Sequence, residues 1–260
     1  MTDTKSRKAI MLFLLFTFAL PLVSILLIKN LAVFQSGFFE FFLFGYQAIT
    51  PTLSALLVVT ILYGRGQTGQ FIKKCFICNI KAHYIMLAVL FPLITFVLTE
   101  LSTFFFLDIQ TFDITVSFPV FIAVLWALIA EEVGWRGYLQ ENLDRHLGKY
   151  LTPIAVGLTW ALWHYHFFFV GFISVPFFLF TLGCVFDSFG YYWLTKKSKG
   201  NIIPASVMHF SWNLLFHIFM ISPEHHQGNL LPYLIFLSWS FIMAVGITTW
   251  GVFSSKKEAA

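Results

Sequence analysis

Apolar residues run through this chain in long blocks separated by short polar connections. Each block approaches the roughly 20 residues that a helix needs to cross ~30 Å of hydrocarbon. About eight blocks are read, at 9–28, 38–64, 83–107, 115–139, 150–172, 175–195, 201–222 and 229–253. The pattern predicts an all-α, polytopic membrane protein of about eight transmembrane helices, a single transmembrane domain over 1–260. The first block follows Lys5, Arg7 and Lys8, but it is too long for a signal-peptide core and lacks a small-x-small cleavage pattern, so it is read as a retained span. Pro119, Pro153, Pro176, Pro204 and Pro232 fall near span starts, where a missing N–H costs little. Pro21, Pro51 and Pro92 fall inside spans and predict kinks.

Polar connections set the orientation. Basic residues gather at the N-terminus, then at Arg65, Lys73, Lys74 and Lys81, at Arg145 and Lys149, at Lys196, Lys197 and Lys199, and at Lys256 and Lys257. The connections between them hold Lys29, then Asp108 and Asp113, then no charge, then Glu224 with His225 and His226. Positive residues mark the cytoplasmic side, so both termini are expected in the cytoplasm and the span count is expected to be even. The connection at 65–82 is expected to lie on that surface.

Composition agrees with the pattern. The chain is 58% hydrophobic, 20% aromatic and 11% charged, against about 25% charged in soluble domains. Its net charge of +4 reflects loop placement and is not a nucleic-acid footprint. Cys75 and Cys78 form a C-x-x-C with no second pair to complete a zinc site and no thioredoxin-like pattern around it.

Candidate chemistry sits at membrane depth, where each charge costs roughly 2.5–3.5 kcal/mol on insertion scales. Glu131 and Glu132 end one apolar run and Arg136 follows. At about 100° per residue the two acids should point apart on an α-helix. Glu132 and Arg136, at i and i+4 with the acid first, are expected to pair, leaving Glu131 to face something else. Gly134 and Gly137 would let another helix come close. The next span carries Trp160, His164 and His166; the histidines face nearly opposite sides, and His166 is expected to be structural. The seventh span carries His209 and Asn213 on one face, with His217 farther out as an interfacial histidine. At 1.5 Å per residue, Glu131, His164 and His209 all fall about 10–20 Å from the cytoplasmic face. Asp187 lies at similar depth, as a neighbour of the site or a partner of Lys196.

A carboxylate, two imidazoles and an amide suffice for hydrolysis. Glu131 could take a proton from water held by His164, with His209 and Asn213 donating to the oxyanion. No serine or cysteine in these motifs is an obvious nucleophile. A transporter or channel would also place polar residues in a helical bundle, but no internal repeat is visible and the residues form one cluster, not a trail. A non-catalytic membrane scaffold is the third reading.

Together the motifs resemble the CPBP intramembrane protease family, the CAAX prenyl protease and bacteriocin-processing group. Its pattern is E-E-x-x-x-R, F-x-x-x-H and H-x-x-x-N or H-x-x-x-D on successive helices. Glu131, Glu132 and Arg136 match the first motif, His164 the second with Trp160 in the phenylalanine place, and His209 with Asn213 the third. The match covers about 115–220. The resemblance implies a multi-pass endopeptidase whose first glutamate activates water. The implied substrates are prenylated CAAX proteins or bacterial peptide precursors; an immunity role against bacteriocins also occurs in the family. No cofactor is expected in the preferred metal-free reading; zinc is the alternative, although H-E-x-x-H spacing is absent. The expected partners are a peptide or lipidated-protein substrate and the lipid bilayer, with no nucleic acid, and the expected location is a bacterial plasma membrane.

Overall fold

The computed structural model describes residues 3–35, 37–76 and 80–258. Ten α-helices and one π-helical segment carry the architecture, and no strand occurs among the described residues. They are α1 (Asp3–Asn30), α2 (Gly37–Tyr63), α3 (Arg65–Phe76), α4 (Ala82–Leu107) and α5 (Phe118–Ala130). The π-helical segment Val133–Gln140 follows, then α6 (Glu141–Trp163) and α7 (Tyr165–Phe169). The chain continues through α8 (Phe177–Lys197), α9 (Ile203–Phe219) and α10 (Leu231–Glu258). Helix ends follow local chemistry. Ser117 and Pro119 open α5, Pro204 opens α9, and α4 stops at Asp108 in the left-handed region, after which the Ile109 N–H bonds the Thr103 carbonyl at 3.2 Å.

Among the described residues seven apolar helical runs are long enough to cross a membrane, and eight spans were expected. The difference lies in one place: the 52-residue run Phe118–Phe169 holds both the expected fourth and fifth spans, on either side of a break at Gly148. Straight, such a run would be about 78 Å long, more than twice the hydrocarbon thickness. It is not straight. Gly148 leaves the helical region (φ 69, ψ −177), and the Trp160 side chain donates a hydrogen bond to Glu131 at 3.0 Å. Two residues that far apart in sequence meet only if the run doubles back, so its two arms lie antiparallel. The protein is an all-α, multi-pass integral membrane protein.

Its outer surface is lipid-like. Phe105 and Phe106 are 72% and 82% exposed, and Phe38, Phe42, Phe118 and Phe178 are also turned outward. In water such a surface would be an aggregation hazard; against acyl chains it costs nothing. Inside, α6 packs on α8, α1 on α2, and α4 on α9.

The basic connection after α2 is more than a surface loop. It forms α3, which is tied to the start of α9 by Ile202 N–H on the Cys75 carbonyl (2.9 Å) and Asn201 Nδ2 on the Phe76 carbonyl (2.9 Å). Lys74 reaches Glu141 at 3.0 Å. Cys75 is buried against Phe71, Val133 and Ile202, and burial pushes its thiol up to about 12. Cys78 lies outside the described residues.

Candidate active site

The candidate site forms where the helix of the first motif is locally widened. Over Val133–Gln140 the backbone is π-helical, and π turns are frequent at functional sites. The α-helix stops at Ala130, and the Glu131 carbonyl accepts from both Gly134 and Trp135 N–H (3.0 Å each). Close packing holds the wide turn. A Cβ on Gly134 would stand 2.4 Å from the Pro51 carbonyl carbon of α2, and one on Gly137 would stand 2.7 Å from Cys75 Sγ. Both glycines therefore admit neighbours, as their sequence position suggested.

Glu132 and Arg136 pair at 3.0 Å, Nη1 to Oε1, with exposures of 0% and 1%. The same Glu132 oxygen accepts from His209 Nδ1–H at 2.8 Å. The carboxylate partner fixes that proton on Nδ1 and turns Nε2 the other way. His209 Nε2 stands 4.0 Å from Glu131 Oε1. The two adjacent acids thus converge on one histidine, which corrects the expectation that they point apart. The reason is the backbone: the α-helix ends before them at Ala130 and the π turn begins after them at Val133, so regular α spacing does not apply.

Glu131 is held by its other oxygen. Trp135 Nε1 donates to Oε2 at 3.1 Å and Trp160 Nε1 at 3.0 Å. Neither tryptophan stood out as a site residue in the sequence, where Trp160 read only as aromatic bulk. An indole N–H gives a hydrogen bond that phenylalanine lacks. Trp160 is also the hub of the cluster. Its ring lies 4.8 Å from the Arg136 guanidinium, 5.5 Å from the His209 ring and 5.6 Å from the His164 ring. Tyr191 of α8 covers Arg136 from another side at 3.7 Å. Its position about four turns along an apolar helix gave no motif by which to find it.

The remaining residues are placed less directly. His164 caps α6 and donates from Nδ1 to the Trp160 carbonyl at 2.8 Å, so it meets the acids through Trp160 and not by its own hydrogen bond. Its ring also touches Phe180 of α8 at 4.9 Å. Asn213 lies one turn beyond His209 on α9, half-buried and with no hydrogen-bond partner among the described residues. His166 is buried, bonds the Trp163 carbonyl at 2.7 Å and packs on Phe167; His217 is exposed. Lys196 pairs with Asp144 at 2.8 Å, so Asp187 is not its partner. A zinc site needs at least three protein ligands. Among the described residues no group of three or more His, Cys, Asp or Glu side chains is placed to hold an ion, so the donor set does not fit one.

Comparison with known proteins agrees with the motifs. Residues 113–215 match the family model described as type II CAAX prenyl endopeptidase Rce1-like. The chain is 26% identical over 190 residues to CAAX prenyl protease 2 of Methanococcus maripaludis, covering 62% of this chain and 68% of that protein. It is 30% identical over 129 residues to lysostaphin resistance protein A of Staphylococcus haemolyticus, covering 47% of this chain and 35% of that protein. The chain therefore spans about a third of the staphylococcal relative. These likenesses bear out the resemblance to the CPBP family and support a protease of the CAAX type.

Proposed function

We propose that this protein is an intramembrane endopeptidase in which Glu131 activates water against a peptide bond. The observation that carries the reading is the division of labour between the adjacent acids. Glu132 is committed to Arg136 and His209, whereas Glu131 is anchored by two indoles on Oε2 and keeps Oε1 toward His209 Nε2. A 4.0 Å separation is too long for a hydrogen bond and short enough for one water to touch both atoms. Glu131 takes a proton from that water as its oxygen attacks the scissile carbonyl carbon. His209, protonated at Nε2, and Asn213 donate to the developing oxyanion. The C–N bond then breaks and Glu131 returns its proton to the leaving amine. His164 borders the substrate side of Trp160. No step runs through a metal.

The substrate class that fits the family description is a prenylated CAAX-type protein, with a peptide precursor as the second class. The proposed setting is the plasma membrane of a bacterium, with both termini in the cytoplasm as the loop charges require.

Replacement of Glu131 by Gln tests the base. In purified, folded protein, cleavage of precursors that accumulate in membranes of the variant should fall by about 10²–10⁴-fold, the usual contribution of a general base. Undiminished cleavage sinks the reading, and proton-coupled flux in liposomes lost on the same change would replace it with a transporter. Dialysis against a strong chelator should leave cleavage intact; loss that zinc restores would overturn the metal-free step.

A further inference from the structure

A fourth ionisable side chain belongs to the same interior and has no place in the chemistry above. Asp187 sits on α8 in line with Phe180, Cys184 and Tyr191, positions that fall on one side of a helix at 100° per residue. The ends of that line are fixed by contacts. Phe180 meets the His164 ring at 4.9 Å, and Tyr191 meets Arg136 at 3.7 Å and the Trp160 ring at 5.8 Å. Asp187 therefore stands on the wall of the site, between the level of His164 and the level of Arg136. One turn before Asp187 on the same side of α8, Gly183 faces the Tyr233 hydroxyl of α10, so this part of the helix is turned into the bundle and away from lipid.

The carboxylate is half-buried, and among the described residues it has neither a hydrogen bond nor an ion pair. Burial opposes its charge, and Arg136 is the cation that favours it. That guanidinium is already bound to Glu132 and covered by the Tyr191 and Trp160 rings. Lys196, on the same helix, is taken by Asp144. Glu131, Glu132 and Asp187 thus share two cations, Arg136 and the His209 that is protonated in the proposed step. Tyr191 Oη, buried one turn inward on the same face, also lacks a partner. A carboxylate left unpaired at membrane depth is expensive, and such groups pair or mark the path of a substrate.

We propose that Asp187 is a specificity-determining residue that receives a basic side chain of the substrate, held beside the scissile segment. An ammonium has three donors, enough for the Asp187 carboxylate and the Tyr191 hydroxyl together. The proposal deepens the protease reading and rests on it for its biological meaning, while its test needs no cleavage.

The test uses the Glu131→Gln protein in detergent and short apolar peptides in which one lysine is walked along the sequence, each paired with its norleucine counterpart. At one register the lysine peptide should bind about tenfold more tightly, a difference of ~1.4 kcal/mol. Adding Asp187→Asn should bring that ratio close to one, and Asp187→Glu should keep it. A ratio that is the same with Asp and Asn at 187, or no register with a lysine preference, overturns the proposal. If the Asn variant does not fold, loss of the lysine preference in the folded Glu variant overturns it as well. Failure of the wild-type protein to cut any peptide would count against the protease and leave the binding ratio to stand by itself.

Discussion

Two buried polar networks lie side by side in this apolar bundle, and they answer different needs. One is neutral and runs through α1 and α2. Trp163 Nε1 donates to Thr50 Oγ1 (3.2 Å), whose hydroxyl donates to the Gln47 carbonyl (2.7 Å). Gln47 Nε2 donates to Ser24 Oγ (2.8 Å), which donates to the Pro21 carbonyl (2.7 Å). Pro51 has no N–H to give the carbonyl four residues before it, so Thr50 supplies the missing donor. At Pro51 this ladder repairs the kink in α2. The other network holds Glu131, Glu132, Arg136 and His209, and it is left incomplete: Glu132 Oε2, Arg136 Nε and Arg136 Nη2 are buried without partners. The neutral ladder also leaves Gln47 Oε1 unpaired, but an orphaned amide oxygen costs less than an orphaned part of an ion. Incomplete pairing of ions marks a place built to receive something polar. The two networks touch through Trp135 and Trp163, edge to face at 5.7 Å, and through Gly134 against Pro51.

Three substitutions separate the networks, beginning with the largest effect on stability. Arg136→Ala leaves Glu132 as a buried charge with His209 alone beside it. It should cost about 3–5 kcal/mol, the range for breaking a buried pair from one side. Unfolding in detergent would show this as a marked fall in Tm, and an unchanged melt would mean that the pair does not hold the helix. Gly134→Ala places a methyl against the Pro51 backbone at the seam of the two networks. Overpacking of that kind costs about 1–3 kcal/mol; both Tm and cleavage should fall, because α2 or the π turn must shift. Thr50→Val removes the hydroxyl from the neutral ladder and should cost about 1–2 kcal/mol. Cleavage per folded molecule should stay at the wild-type level. A large loss of activity with a small loss of stability would show that the ladder serves the site and not only the backbone.

The sequence displayed the spans well because burial in lipid demands long apolar blocks whatever the packing. It also displayed the pairing of Glu132 with Arg136, since spacing on one helix is a local property. Its separation of the fourth and fifth blocks holds, since the run doubles back, but the break at Gly148 that turns the chain stayed hidden because a glycine's φ is not written in the span pattern. The tryptophans that grip Glu131 were hidden for a different reason. Trp160 comes from the far arm of the doubled run, and no local pattern says which of its aromatic neighbours will turn an N–H toward a carboxylate. His164 and Asn213 were visible as motif residues, but their distance from the acids is a matter of packing.

By itself, then, the sequence determined that this protein lies in a membrane as an all-helical bundle and that a few ionisable groups share one depth within it. Those facts follow from the cost of moving polar groups into hydrocarbon, which each residue carries with it. Tertiary structure alone decided how Glu131 and Glu132 divide their partners. The direction of each carboxylate depends on a π turn held by Pro51 and Cys75 and on donors arriving from α6 and α9. Hydrogen bonds are short-range and directional, so they exist only once distant helices have been brought together.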